Sequence, residues 1–200
     1  MKKRILESAN NIANVFWNEE KDFNDVLSLL RNKDLSYKGK EISLFILNMR
    51  EEKEFLYKFA PEKYEYSSDQ EAVTFTNPLL DEYMIIVDNR IANNENRFRF
   101  TLAHELGHIY SGHVETENWL CRDSITAEGT DLLEIQANAF AAEFLVPMNK
   151  LKEYIFNRDV TRTTISDVAE HFKVSTDVIR YRIKDLNKNL SMQRETLDEE

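Results

Sequence analysis

Two histidines four residues apart, with a glutamate beside the first, make His104-Glu105-Leu106-Gly107-His108 the stretch of this chain best equipped for chemistry. On an α-helix, residues i and i+4 lie about 40° apart around the axis, so both imidazoles leave one face. That face can offer two neutral nitrogens to a single Zn²⁺ at roughly 2 Å. Glu105 is placed to take a proton from a water on the ion rather than to bind the ion itself. The chain of 200 residues has four His, and two of them fall at this spacing.

The surrounding sequence predicts the helix that such a site needs. Phe98, Leu102, Leu106 and Ile109 recur at intervals of four and three, giving an apolar stripe that Ala103 and Tyr110 widen. Asn93 or Asn94 can cap its start, and Glu95 lies where the positive helix end favours an acid. Ser111-Gly112 supplies a stop. Gly107 costs roughly 1 kcal/mol against Ala inside a helix, which predicts a close approach of another element at that point.

A catalytic zinc usually takes three protein ligands and keeps one position for water. Asp131 to Val146 reads as a second helix, closed by Pro147 and rich in small residues at Ala137, Ala139, Ala141 and Ala142. Glu134 projects from its first turn and is one candidate for the third ligand. Asp131-x-x-Glu134 also has the spacing of a capping box, so spacing alone leaves ligand and cap open. His113, Cys121, Asp123, Glu128 and Glu143 are further candidates.

The run Phe100-Thr-Leu-Ala-His-Glu-Leu-Gly-His108, followed by Glu134-Ile-Gln-Ala-Asn-Ala-Phe-Ala-Ala-Glu-Phe-Leu-Val-Pro147, resembles the ImmA/IrrE family of zinc metallopeptidases. That family typically shows an R-F-T-L-A-H-E-L-G-H helix and then an E-x-x-A-N-x-F-A-x-x-L-L-x-P helix. Arg99-Phe100 and Phe144-Leu145-Val146-Pro147 extend the similarity at either end. It is strong from about Tyr83 to Pro147 and faint before Glu62. The Glu heading the second motif is the family's third zinc ligand, and the resemblance places that role on Glu134. It implies zinc held by His104, His108 and Glu134, with Glu105 as catalytic base. It also implies a partner protein as substrate, commonly a helix-turn-helix transcriptional repressor that is cleaved or inactivated.

The expected fold is α+β and mostly helical: a zincin-like metallopeptidase core with a small β-sheet and a C-terminal helix-turn-helix-like element. The expected divisions are an N-terminal helical segment over 1–60, the peptidase core over 61–155 and the C-terminal element over 160–190. Ile5, Ile12, Val15 and Phe16 mark a first amphipathic helix, and Phe23, Val26, Leu27 and Leu30 a second. Leu44 to Leu47 fits a strand or a helix, whereas Met49 to Phe59 is too charged and unbroken for a strand. Ala72–Thr76 and Tyr83–Val87 read as strands separated by a turn at Asn77-Pro78 and Asp81. The second of these fits an ordinary buried strand or an edge that holds extended substrate, and the family resemblance favours a strand bordering the cleft. The oxyanion-supporting group is not identified by the sequence. Tyr110 lies about 240° around the helix from His104, off its face, which leaves His113 as the better candidate.

Composition narrows the function classes. A hydrophobic content of 42% supports one sizeable core, and a single cysteine, Cys121, allows no intramolecular disulfide, as expected of a cytoplasmic protein. No run approaches the roughly 18 apolar residues of a membrane span, and Lys2-Lys3-Arg4 is not followed by a signal-peptide core. The net charge of −10 disfavours non-specific nucleic-acid binding. Residues 61–161 carry 8 basic and 18 acidic side chains, and residues 162–190 carry 6 and 4.

The less acidic C-terminal stretch reads as two helices. Ile165, Val168, Ala169 and Phe172 mark the first, Lys173-Val174-Ser175 a turn, and Val178, Ile179, Arg182, Ile183 and Leu186 the second. With Ser175 as cap and Ala169 at the crossing, the pair resembles a helix-turn-helix. Arg180, Arg182, Lys184 and Lys188 give its second helix a basic bias that Asp177 and Asp185 dilute, and Glu195 to Glu200 reads as a frayed acidic tail. DNA binding is therefore possible but not favoured over packing on the core or on a protein partner. Two functions follow: a cytoplasmic zinc endopeptidase acting on a repressor, or a DNA-binding or antitoxin-like regulator with a structural or vestigial zinc site. A structural site has no need of Glu105, which favours the first.

Overall fold

The computed structural model describes residues 22–59, 65–77, 79–117, 119–123, 132–157 and 163–198. The helix expected around Ile5 to Phe16 lies outside them. The fold is α+β and mostly helical, and the chain forms two compact units, Met1–Phe144 and Leu145–Glu200.

In the first unit, helix α1 (Phe23–Asn32) begins at a capping box between Asp22 and Asp25 and ends at Lys33, whose φ of 59° stops it in the left-handed region. It buries Phe23, Val26 and Leu30, three of the four residues expected to mark it. Strand β1 (Ser36–Tyr37) turns through Lys38-Gly39 into β2 (Lys40–Leu47), which settles the Leu44–Leu47 ambiguity in favour of a strand. Helix α2 (Lys53–Phe59) follows, then the hairpin of β3 (Gln70–Asn77) and β4 (Glu82–Asp88), with Asp81 at a φ of 51° in its turn. A short helix α3 (Asn89–Ala92) leads into α4 (Glu95–Tyr110), then α5 (His113–Glu117), β5 (Trp119–Asp123) and α6 (Leu132–Leu145).

The sheet order is β1-β2-β4-β3-β5, with β2 and β4 parallel and the other neighbours antiparallel. Strand β4 is therefore bonded on both sides, to β2 and to β3, and all seven of its residues are buried. This corrects the expectation that Tyr83–Val87 borders the cleft. Its unbroken apolar run reflects two covered faces, and a strand with both edges paired has no free N–H or C=O to offer a substrate.

Side-chain alternation divides the sheet into two faces. Val73, Phe75, Met84 and Ile86 pack with Leu47, Met49 and Leu56 in one apolar cluster on the α2 side. Ala72, Thr74 and Thr76 of β3 point the other way, and there Thr74 meets Glu105 of α4. The sheet thus serves as a floor under the motif helix. Among the described residues, no helix is long and apolar enough to cross a membrane.

The second unit holds α7 (Met148–Phe156), α8 (Ile165–Phe172) and α9 (Thr176–Asp198). A Thr164–Asp167 capping box starts α8, and Lys173 at a φ of 53° ends it. The Ser175 hydroxyl accepts from Val178 N at 3.5 Å, the cap expected of it. Val168, Ala169, Val174, Ile179 and Leu186 are buried. Helix α9 continues through Asp198, and one expectation changes here. Arg182 is 1% exposed, and its Nε donates to the Val146 carbonyl at 3.0 Å. It belongs to the interior of this unit and leaves Arg180, Lys184 and Lys188 as the exposed basic residues of those four.

Candidate metal centre

Helix α4 starts where Asn94 accepts a hydrogen bond from Arg97 N at 3.1 Å, with Glu95 in the first turn. It stops at Ser111, followed by Gly112 at a φ of 76° that only glycine adopts without strain. Between these ends the helix is covered far beyond the predicted apolar stripe. Arg99, Thr101, His104, Glu105 and His108 are buried as well, so the polar side faces protein and not solvent. A helix buried all round with polar groups on one side is a helix with a built site, because buried polar groups persist only with partners.

His104, His108 and Glu134 form the one group of metal-capable side chains found among the described residues. Their facing atoms lie close together, with a different Glu134 oxygen turned toward each ring. His104 Nε2 lies 2.9 Å from His108 Nε2, His104 Nε2 lies 3.2 Å from Glu134 Oε2, and His108 Nε2 lies 3.3 Å from Glu134 Oε1. A tetrahedral ion with ligands at about 2.0–2.1 Å has ligand–ligand edges of about 3.3–3.4 Å, and these three separations lie within tenths of an ångström of that.

The hydrogen bonds behind the rings favour the same reading. His104 Nδ1 lies 3.0 Å from Asn138 Oδ1, an oxygen that can only accept, so the hydrogen sits on Nδ1 and Nε2 carries a lone pair. Two imidazole nitrogens and a carboxylate turned toward one another are three electron-rich groups, and a divalent cation satisfies all of them. The donor set therefore fits zinc.

Helix α6 is brought to this position by close contact with α4. A Cβ on Gly107 would lie 3.0 Å from the Ala137 carbonyl oxygen and 3.1 Å from both Ala137 Cα and Phe140 Cβ. The glycine serves the close packing expected of it, with Ala137 as the small residue opposite. Asp131 and Glu128 lie outside the described residues, and of Cys121 and Asp123 only the strand is described. Glu143 is buried on α6 and is not part of the metal-capable group.

Glu105 is 1% exposed and accepts a hydrogen bond from the Thr74 hydroxyl at 2.5 Å. That contact ties the carboxylate to β3 of the sheet. His113 is placed differently from the oxyanion-supporting role considered for it. Its Nδ1 lies 2.9 Å from His108 Nδ1, on the side of the ring away from Glu134 and His104, and its Nε2 lies 3.0 Å from Gln136 Oε1.

Thr74, Gln136 and Asn138 are the residues that reading the sequence did not assign. Thr74 is 31 positions from Glu105, and nothing local announces such a contact. Asn138 had a signal: it lies four residues after Glu134, on the same helix face.

The sequence profile of the Peptidase M78 family, described as the IrrE N-terminal-like domain, matches residues 57–184 of the chain. A comparison with the curated proteins found no match.

Proposed function

The chain belongs to the Peptidase M78 family of metallopeptidases, the IrrE N-terminal-like domain, and from this premise we propose that it is a cytoplasmic zinc-dependent endopeptidase whose substrate is a partner helix-turn-helix repressor. The observation that carries this reading is the convergence of His104 Nε2, His108 Nε2 and the Glu134 carboxylate, with Glu105 buried next in sequence to the first. Zinc held there by His104, His108 and Glu134 would supply a Lewis acid to polarise the scissile carbonyl and acidify a water. Glu105 takes the proton of that water and delivers it to the leaving amine, shuttling one proton across the cleaved bond. Thr74 holds one carboxylate oxygen of Glu105 in place, so the base meets its proton in a fixed orientation. The single cysteine fits a reducing compartment.

The product of a repressor gene adjacent on the chromosome is the substrate to try first. Incubation with the zinc-loaded protein is expected to yield defined fragments, and removal of the metal by a chelator is expected to stop the reaction. Intact repressor under both conditions would count against this substrate.

The Ser175-capped pair of α8 and α9 favours a second reading, a DNA-binding regulator. Burial of Arg182 weakens it, since a side chain 1% exposed cannot meet phosphate. Arg180 is also engaged, donating to Asp177 at 2.8 Å and Thr176 at 3.2 Å. Charge reversal at Arg180 and Lys184 is expected to alter cleavage or recruitment of the repressor more than any DNA affinity. Real phosphate contacts would show a log–log salt slope of about one per neutralised phosphate. A specific band shift with that slope, abolished by the two reversals, would establish the second reading instead.

A further inference from the structure

We propose that His113, itself oriented by Gln136, is a positioning residue that locks His108 in its metal-binding tautomer; this deepens the zinc reading given above and rests on it. The Nδ1 atoms of His108 and His113 are 2.9 Å apart, room for one shared hydrogen. His108 turns its other nitrogen, Nε2, toward His104 and Glu134. A neutral imidazole carries a single N–H. For Nε2 to serve as a ligand, the hydrogen must sit on Nδ1, so His108 donates to His113. His113 Nδ1 then accepts, its own hydrogen sits on Nε2, and that atom donates to Gln136 Oε1 at 3.0 Å. Each group in the row has one role, and all the roles agree.

The reverse order fails at both ends. A hydrogen donated from His113 Nδ1 would leave the hydrogen of His108 on Nε2, on the side facing His104 and Glu134. It would also set two acceptors, His113 Nε2 and Gln136 Oε1, against each other. The Gln136 oxygen therefore selects the tautomer of a ring it does not touch.

The row is tied to its surroundings. His113 is 3% exposed and opens α5 directly after Gly112. Two residues on, Glu115 accepts from the Tyr83 hydroxyl of β4 at 2.8 Å and from Lys38 Nζ at 2.8 Å, which ties α5 to the sheet. Gln136 and Asn138 both belong to α6, the helix that carries Glu134. One helix thus supplies a ligand and sets the tautomers of the other two, directly through Asn138 and by way of His113 through Gln136.

The test uses the full chain, with zinc affinity read by competition against a chromophoric chelator and geometry read from the visible spectrum of the Co²⁺-loaded protein. His113→Leu removes the acceptor and is expected to weaken zinc binding about 10–100-fold and to shift the Co²⁺ bands. Gln136→Leu leaves His113 in place, and a smaller loss in the same direction is expected. Wild-type affinity and an unchanged Co²⁺ spectrum in folded His113→Leu would overturn the proposal. If circular dichroism shows that His113→Leu does not fold, Gln136→Leu decides by the same two readouts. Absence of zinc from the wild type would instead remove the zinc reading itself, and this inference with it.

Discussion

Glu105→Gln is expected to keep its zinc and lose cleavage. The substitution preserves the shape of the side chain, and the amide oxygen can still accept from the Thr74 hydroxyl that now bonds Glu105 at 2.5 Å. What it loses is the capacity to take the proton of the attacking water. General acid–base catalysis by a positioned side chain contributes about 10²–10⁴-fold, so cleavage should fall by that order. Metal content is measured on the purified variant, and repressor cleavage is followed in cells beside the wild type. Cleavage at the wild-type rate would remove Glu105 from the role of base. A wild type that relieves repression without ever cutting its partner would favour the binding-protein reading.

His104→Ala and Glu134→Ala are expected to empty the metal site. Three groups meet at the site, at separations of 2.9, 3.2 and 3.3 Å, and removing one leaves two ligands where zinc needs three. Elemental analysis of the purified variants beside the wild type reads the outcome directly. The glutamate also separates the two roles open to it by spacing. Loss of a helix cap costs about 1 kcal/mol of stability and leaves zinc in place, whereas loss of a ligand takes zinc away from a folded protein. Equal zinc in wild type and His104→Ala would dismiss the assignment.

What was legible in the sequence was largely what depends on neighbours along one helix. The His104–His108 spacing, the Asn94 cap, the Ser111-Gly112 stop and the close approach at Gly107 follow from local geometry, and the structure has each of them. Glu134 was locally ambiguous, because a first-turn acid suits a cap and a ligand equally well, and the resemblance to the peptidase family distinguished them. The remaining parts of the site depend on pairings far apart in sequence. An apolar run such as Tyr83–Val87 records that both faces are covered but not which strands lie beside it, so its central place between β2 and β3 could not be read. Thr74 reaches Glu105 only because β3 lies under α4. Arg182 looked like part of a basic face because charge was read without burial, and its partner is a backbone carbonyl 36 residues away.

The contact at Gly107 works as a thickness gauge. It lies three residues after His104 and one before His108, and the backbone opposite, at Ala137, lies three residues after Glu134. The spacing between the two helices is thus set within a turn of all three ligand-bearing residues. Coordination distances tolerate only about ±0.2 Å, whereas a methyl group placed 3.0 Å from the Ala137 oxygen would have to be relieved by a few tenths of an ångström. The permitted error of the joint is smaller than the bulk of the smallest side chain. A residue that never touches the metal therefore fixes the calibre of its site.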